Sequence, residues 1–292
     1  SISGYKQIKI IPNFVDNRRF FLIDKKKSRR KLGFKESDKI LLTLSRLVKR
    51  KGHETVINAI SLIIDKIPDI KYVIAGSGEE KYAGDLKQLV AKLKLDRHVL
   101  FLGYIEEDNK NDLYNACDIY IMNSNKTDEE GDSEGFGITF LESNACGKPV
   151  IGSNVGGISD AITNRENGLL IEPNNPTKTA QAIYELFNDE KLYNQLSENG
   201  ITRIKENFSR ATIVKPSLIF SVSDSLTTKF MTLLNFLPIF PLYYEGKTKF
   251  SPIHASDVAE LIFFLISNEI TSRKIEAIGP EVLNFKEIIK IL

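Results

Sequence analysis

Tryptophan is missing from this chain of 292 residues, and cysteine, methionine and histidine are scarce, at two, two and three. Cys117 and Cys146 lie inside apolar segments without CxxC spacing. That excludes a disulfide scaffold or a cysteine-based zinc module and predicts buried free thiols in a reducing compartment. His53, His98 and His254 are scattered, so no metal centre is expected. Long hydrophobic runs are lacking too: the most apolar stretch, 231–244, is too short to cross a bilayer and contains Pro238 and Pro241. Residues 1–9 are polar and mixed, unlike a signal peptide, and the first residue is not Met, as expected of a processed or truncated piece.

An excess of one charge is also absent. Forty basic residues face 38 acidic ones, a net charge of +2, so nothing in the bulk composition demands a nucleic acid or another polyanion. Basic residues cluster locally at Lys25, Lys26, Lys27, Arg29, Arg30 and Lys31, and again over 46–51. The first cluster reads as a solvated helix face or linker, or else as a patch facing anionic lipid or nucleic acid. With 42% hydrophobic and 27% charged residues, the chain has the make-up of a soluble globular protein.

What is present is an alternation of short apolar runs with helical patterns. Strands are predicted at 39–45, 71–76, 98–103, 118–123 and 148–153, and helices at 53–64, 85–93, 110–117, 137–147, 177–188 and 190–208. The strand runs are continuously apolar rather than alternating, which is the pattern of a parallel sheet covered on both faces. The fold class expected is therefore α/β, a doubly wound parallel sheet, with its ligand at the carboxyl ends of the strands. Residues 36–208 are assigned to this domain, 1–35 to an N-terminal extension and linker, and 209–292 to an incomplete α/β segment. In the last, 211–221 and 274–279 read as strands, 255–268 as a helix, and 237–250 as a proline-punctuated loop.

Four loops follow successive strands. After the fourth strand, the acidic 124–133 leads into "EGFGITFLE" (134–142). Gly135 and Gly137 permit a tight turn where a helix begins, leaving the N–H groups of Phe136, Gly137 and Ile138 as a cradle for a diphosphate. Glu134 and Glu142 could accept charge-assisted hydrogen bonds from sugar hydroxyls. "SRLVKRKG" (45–52) offers Arg46 and Lys51 as cations, "GSGEE" (76–80) offers flexible backbone, and "SNVGGISD" (153–160) begins another helix that could cradle an anion. The alternative for 134–142 standing alone is a glycine-rich turn with two solvated glutamates; a single such loop is weak evidence, and four after successive strands, with two cations among them, are stronger.

Residues 1–208 resemble the C-terminal domain of GT-B glycosyltransferases, and within them the large retaining family four. The resemblance rests on "IPNFVD" (11–16), "SRLVKRKG" (45–52), "VIAGSGEE" (73–80), "EGFGITFLESNACGKPVIGSNVGG" (134–157) and "NGLLIEP" (167–173), in the family's order and spacing. The segment "GDSEGFGITFLE" is most similar to the branch that adds mannose to phosphatidylinositol or related lipid acceptors. The resemblance implies transfer of a sugar, with retention, from a GDP- or UDP-linked donor to a lipid-linked or saccharide acceptor, without a cofactor or bound metal. It implies that Arg46 and Lys51 neutralise the donor diphosphate and that Glu134 holds the donor sugar. Phe136, Gly137 and Ile138 would present N–H groups, Glu142 would bind the ribose, and Gly76 and Gly78 would line the base and ribose pocket. Ser45, Phe14 and Asp160 depart from the family's usual glycine, glycine and glutamate.

The same resemblance implies an acceptor-binding N-terminal domain, without which binding would be weak and transfer poor unless a separate chain supplied it. A cytoplasmic location is expected, with at most peripheral contact with the inner face of a membrane. The tail, through 211–221, 238–262 and 275–292, resembles the C-terminal part of atypical extended short-chain dehydrogenases/reductases, near the NAD(P)-binding proteins associated with respiratory complex I. No glycine-rich fingerprint or Tyr–Lys pair precedes it, so it implies a fusion of two gene remnants with poorly buried apolar residues. An NAD(P)-binding protein read from the tail and a non-catalytic nucleotide-binding module are the alternative functions.

Overall fold

The computed structural model describes residues 13–125, 134–208, 213–220, 247, 249–268, 274–278, 280–284 and 287–288. The acidic residues 126–133, residues 11 and 12, and the proline-rich stretch 237–246 lie outside the described residues. The chain divides into two compact units, Ser1–Ser209 and Arg210–Leu292.

In the first unit, six parallel strands form one sheet: β1 (Lys39–Leu44), β2 (Ile70–Ala75), β3 (Val99–Gly103), β4 (Ile119–Met122), β5 (Val150–Ser153) and β6 (Gly168–Ile171). Their order is β3-β2-β1-β4-β5-β6. Side chains alternate between the faces of a strand, so a run apolar at every position needs cover on both sides. The packing supplies it. Leu41 and Ile74 join one core with Ile57 and Ile60 of α2 (His53–Ser61), Leu86 of α3 (Glu80–Lys92) and Ile183 of α7 (Pro176–Asn188). Ile40, Leu42 and Val73 face the other core with Leu113 of α4 (Lys110–Ala116), Phe140 and Leu141 of α5 (Ile138–Ala145) and Ile158 of α6 (Ile158–Ala161). Cys117 and Cys146 are free and buried in the second core.

Two elements differ from the sequence expectation. Residues 25–32, assigned to the linker region with the basic cluster read as a solvated helix face or linker, form the helix α1 (Lys25–Leu32), with the Asp24 side chain capping its start and Gly33 in the left-handed conformation at its end. Its basic residues are not all solvated. Arg29 is 2% exposed and donates to Asp118 at 2.8 Å and to the carbonyls of Ala116 and Glu36 at 2.9 and 2.6 Å. Asp118 also accepts from the Ile40 N–H at 2.6 Å and from Lys25, so the pair ties α1 to the amino ends of β1 and β4. The second difference is β6, which was quoted above only as part of a motif. The final helix, α8 (Glu190–Arg203), passes into a π turn over Ile204–Phe208, and Gly200 lets it approach Asn144, whose amide a Cβ would meet at 2.8 Å.

The second unit contains three described strand pairs. Ile213–Pro216 pairs in parallel with Lys274–Ala277, Ile219–Phe220 in parallel with Ile253–His254, and Lys249–Phe250 antiparallel with Leu283–Asn284. The strand expected over 211–221 is thus two short strands separated by Ser217 and Leu218. The helix Ala255–Ser267 is capped by the His254 side chain, and Phe263 and Phe264 on it are 73% and 55% exposed.

Removing one partner of a buried, fully hydrogen-bonded ion pair strands the other. Arg29→Ala should therefore lower the unfolding free energy of the first unit by about 3 kcal/mol, read from urea titrations. A change below about 1 kcal/mol would place the pair among ordinary surface salt bridges.

Candidate functional site

Strands β2 and β3 lie to one side of β1, and β5 and β6 lie beyond β4, so winding reverses between β1 and β4. In an open parallel sheet, the crevice outside the carboxyl ends at that reversal is where loops diverge and a ligand can enter. Here the loops after β1 and β4 meet closely. Gly52 has φ +68, and a Cβ on it would lie 1.6 Å from the Asn123 carbonyl oxygen, so only glycine fits. The Asn125 N–H donates to the Arg50 carbonyl at 2.8 Å.

The loops after β2 and β5 interlock with these. A Cβ on Gly76 would sit 1.9 Å from the Ser45 carbonyl oxygen, and one on Gly78 would sit 2.1 Å from that of Leu47. These two glycines are explained by the close passage of the β1 loop. After β5, Gly157 donates its N–H to the Glu134 carbonyl at 2.9 Å, so the 153–160 loop spends one of its N–H groups on holding the β4–α5 connection.

At the centre is a buried carboxylate. Glu134 accepts through Oε2 from Arg50 at 2.9 Å, from Lys51 at 2.5 Å and from Ser124 at 3.5 Å. The side chains of Arg50, Lys51 and Glu134 are 11%, 12% and 11% exposed. Burial pushes the Lys51 ammonium below its ordinary value, and the Glu134 carboxylate works against that shift. Arg46 is exposed, and its guanidinium makes no ion pair among the described residues.

Immediately beyond Glu134, Gly137 at φ +83 starts α5. The first-turn N–H groups of a helix have no acceptor within it, so Ile138 and its neighbours point donors out of the helix start, as does the macrodipole. Ile138 is exposed, while Phe136 is half-buried with its ring 6.1 Å from that of Phe208. Tyr120 of β4 donates to Thr139 in this turn at 2.7 Å, and Asn167 donates to Asn144 at 2.8 Å farther along α5. The helix start is held from both directions.

Glu142, one helical turn on, does not join the Glu134 cluster. It accepts from Tyr114 of α4 at 2.5 Å, and desolvation raises its carboxyl above the usual range even though the tyrosine hydrogen bond opposes this. The sequence-singled residues Lys51 and Glu134 are in direct contact, and Gly76 and Gly78 pack on the loop that carries Arg46. Arg50 and Ser124 were not singled out. Both sit in motifs that were, but only the 3-10 turn Lys49–Lys51 reveals that Arg50 points inward beside Lys51.

A six-stranded sheet in this order, with cations, a buried carboxylate and a helix start at its switch point, defines a Rossmann-like nucleotide-binding domain of the GT-B type. Residues 24–203 match the glycosyl transferases group 1 family. The chain belongs to that family. It is 34% identical over 209 residues to N-acetyl-alpha-D-glucosaminyl L-malate synthase of Bacillus anthracis, covering 72% of this chain and 52% of that protein. It is 35% identical over 182 residues to a GDP-mannose-dependent monoacylated alpha-(1-6)-phosphatidylinositol monomannoside mannosyltransferase of Corynebacterium glutamicum, covering 61% and 46%. Among solved structures, Anabaena HepE in complex with UDP-glucose superposes with a TM-score of 0.62 and 26% identity, over 68% of this chain and 53% of that one. The chain spans about half the length of the curated relatives it matches. The family match ends at residue 203, and the reductase-like reading of the tail gains no support from these comparisons. Among the described residues, no helix is long and apolar enough to cross a membrane.

The glycine contacts can be separated from ordinary helix propensity. Gly52→Ala should destabilise the first unit by about 2 kcal/mol or more, because backbone must shift and φ is positive. Gly84→Ala, in α3 with nothing within 4 Å of its new Cβ, should stabilise it by about 0.5–1 kcal/mol. Equal effects in thermal or urea unfolding would refute the close-approach account.

Proposed function

We propose that this chain supplies the donor-binding half of a glycosyltransferase that moves a hexosyl group from a nucleoside-diphosphate sugar to a lipid-linked or saccharide acceptor. The observation that carries the reading is the buried Glu134 with Lys51 and Arg50 at the switch point, beside the start of α5.

In this reading, the donor diphosphate lies against Arg46, Lys51 and the N–H groups of Phe136, Gly137 and Ile138. Glu134 meets hydroxyls of the donor sugar, Glu142 meets the ribose, and the backbone at Gly76 and Gly78 borders the base. As the bond from the anomeric carbon to the diphosphate oxygen breaks, negative charge grows on the diphosphate. The start of α5 already points its free donors outward, and Lys51, held on Glu134, turns to the diphosphate as donor hydroxyls take its place on the carboxylate. Transfer with retention belongs to the same proposal. Relatives named for GDP-mannose and a neighbour holding UDP-glucose support a nucleotide-linked donor and leave both bases in play.

Transfer also requires the acceptor to be held near the donor with water excluded. We assign that task to an acceptor-binding half outside the matched region, in a protein that is cytoplasmic or peripheral on the inner face of a membrane. A lipid acceptor is favoured by the relative that acts on a phosphatidylinositol monomannoside.

Calorimetric titration of the chain with GDP, UDP and NAD⁺ tests the donor assignment. Saturable binding of GDP or UDP is expected, weakened roughly tenfold or more by Arg46→Ala through loss of a charge-assisted bond. Binding of NAD⁺ alone overturns the proposal. Glu142→Gln should weaken nucleotide binding, whereas His254→Ala should not; equal effects would remove Glu142 from the site.

The same Glu142→Gln protein should be more thermally stable at neutral pH. The folded state raises the Glu142 carboxyl, so its contribution to stability is greatest below the unfolded carboxylate range and declines as pH rises through the raised value. A neutral amide escapes that loss. Melting curves at pH 4 and pH 7 check the sign: the stability gain should be present at pH 7 and shrink at pH 4.

A further inference from the structure

Beneath the β1 loop lies a buried group that the donor reading does not use. His53, the first residue of α2, is fully buried. Its Nδ1 is 3.3 Å from the Tyr72 hydroxyl, and its Nε2 is 3.3 Å from the Ser45 hydroxyl and 3.4 Å from the Arg46 carbonyl. Tyr72 in turn is 2.9 Å from the Thr43 hydroxyl, which bonds to the carbonyl of Ile121. A line of polar contacts thus runs from β4 through β1 and β2 to the loop that carries Arg46 and Lys51.

Counting protons gives this line a direction. The Ile121 carbonyl can only accept, so Thr43 spends its single proton there. Tyr72 must then donate to Thr43, which leaves the Tyr72 oxygen to accept from His53 Nδ1–H. In a neutral imidazole the other nitrogen, Nε2, is an acceptor. The donor within its reach is the Ser45 hydroxyl, whose single proton can go to Nε2 or to the Arg46 carbonyl 3.2 Å away; with Nδ1 carrying the ring proton, the Arg46 carbonyl cannot pair with Nε2, and a bare Nε2 is satisfied by Ser45 alone. Burial moves His53 down to about 4, against the opposing pull of the Arg46 carbonyl and with a smaller contribution from the Lys51 charge, so the ring is neutral at physiological pH. The other ring packed on it, Tyr82 of α3, lies 6.4 Å away and keeps its proton, since burial pushes it up to about 12.

We propose that His53 is a positioning residue of this site. As the neutral Nδ1–H tautomer anchored on Tyr72, it accepts a hydrogen bond from the Ser45 hydroxyl at Nε2 and so fixes the loop that presents Arg46 and Lys51 to a nucleoside diphosphate. The inference rests on the donor reading of that loop. It also accounts for a serine at position 45: the side chain that departs from glycine has a fixed acceptor beneath it.

Nitrogen-15 NMR of the histidine rings in the full chain, with His98 and His254 as internal comparisons, reads the tautomer directly. Tyr72→Phe removes the Nδ1 partner without touching the loop. The wild-type protein should show a protonated Nδ1 and a bare Nε2. Tyr72→Phe should switch the tautomer, speed amide exchange at Leu47 and Lys51, and weaken GDP or UDP binding about three- to tenfold, the loss of one hydrogen bond. A protonated Nε2 in the wild-type protein overturns the proposal. So does a switched tautomer that leaves both loop exchange and nucleotide affinity unchanged. If the wild-type chain binds neither nucleotide, the donor reading fails by itself, and the tautomer with the loop exchange still decides whether His53 positions the loop.

Discussion

Everything at the carboxyl edge of the sheet depends on one buried carboxylate. Arg50 and Lys51 are adjacent in sequence and both point into a site that is nearly closed to water. Two like charges about 4 Å apart at an effective dielectric constant near 20 repel by about 4 kcal/mol, comparable to a large part of a domain's net stability. Glu134 offsets that repulsion by accepting from both. Because the cations come from the β1 loop and the carboxylate from the β4 loop, neutralisation and loop closure are one event. The pair need not add much net stability, since desolvation consumes most of its attraction. Its effect is geometric: it selects the arrangement in which Gly52 presses against Asn123 and Gly157 bonds to Glu134.

The opposite edge of the sheet does different work with the same chemistry. Asp118 accepts from Arg29, Lys25 and the Ile40 N–H, and every one of those partners belongs to the framework. The pair lies at the amino ends of the same two strands, β1 and β4, where α1 covers it. Between the two edges, buried polar links carry position from one to the other. Asn144 and Asn167 hold α5 against the turn before β6, and Tyr120 holds its first residues. The helix start that could meet an anion is therefore rigid before any ligand arrives, which is the condition for electrostatic stabilisation without reorganisation.

Much of this was legible in the residues, for identifiable reasons. Continuous runs such as "ILLTL" and "YVIA" can be stable only between two apolar layers, so strands β1 to β5 and their parallel order class follow from composition alone. The helix α1 was legible only as a solvated helix face or linker, because "KKKSRRKL" carries almost no apolar residue; it is held by a cap, a glycine and a buried arginine, none of which a periodicity reading registers. β6 is four residues long and begins with glycine. In the site, Lys51 and Glu134 stand in motifs whose order fixes them. Arg50 was obscured because three consecutive basic residues look alike until a 3-10 turn chooses which of them points inward. His53 was passed over as one of three scattered histidines, since its partners Ser45 and Tyr72 are brought to it by strand pairing and not by sequence proximity. The second unit was least legible. Its strand pairs join residues as far apart as 213 and 274, and short strands of two to four residues leave little pattern to read.

The arrangement around Glu134 also bears on what kind of ligand can enter. All of its described hydrogen bonds fall on Oε2, leaving the two oxygens of the carboxylate in unlike surroundings. A bare anion approaching Lys51 competes with Glu134 for the same ammonium and brings a second negative charge close to a buried one. That cost is set by the low local dielectric and is not relieved by the anion itself. A ligand that carries hydroxyl donors beside its anion changes the balance, because hydroxyls can bond to Glu134 as the cations turn toward the phosphate. Each charged group then exchanges one partner for another and none is left bare. Under the proposed donor reading, the site is matched to molecules that join a diphosphate to a polyol, and the intact nucleotide sugar should bind more tightly than GDP or UDP.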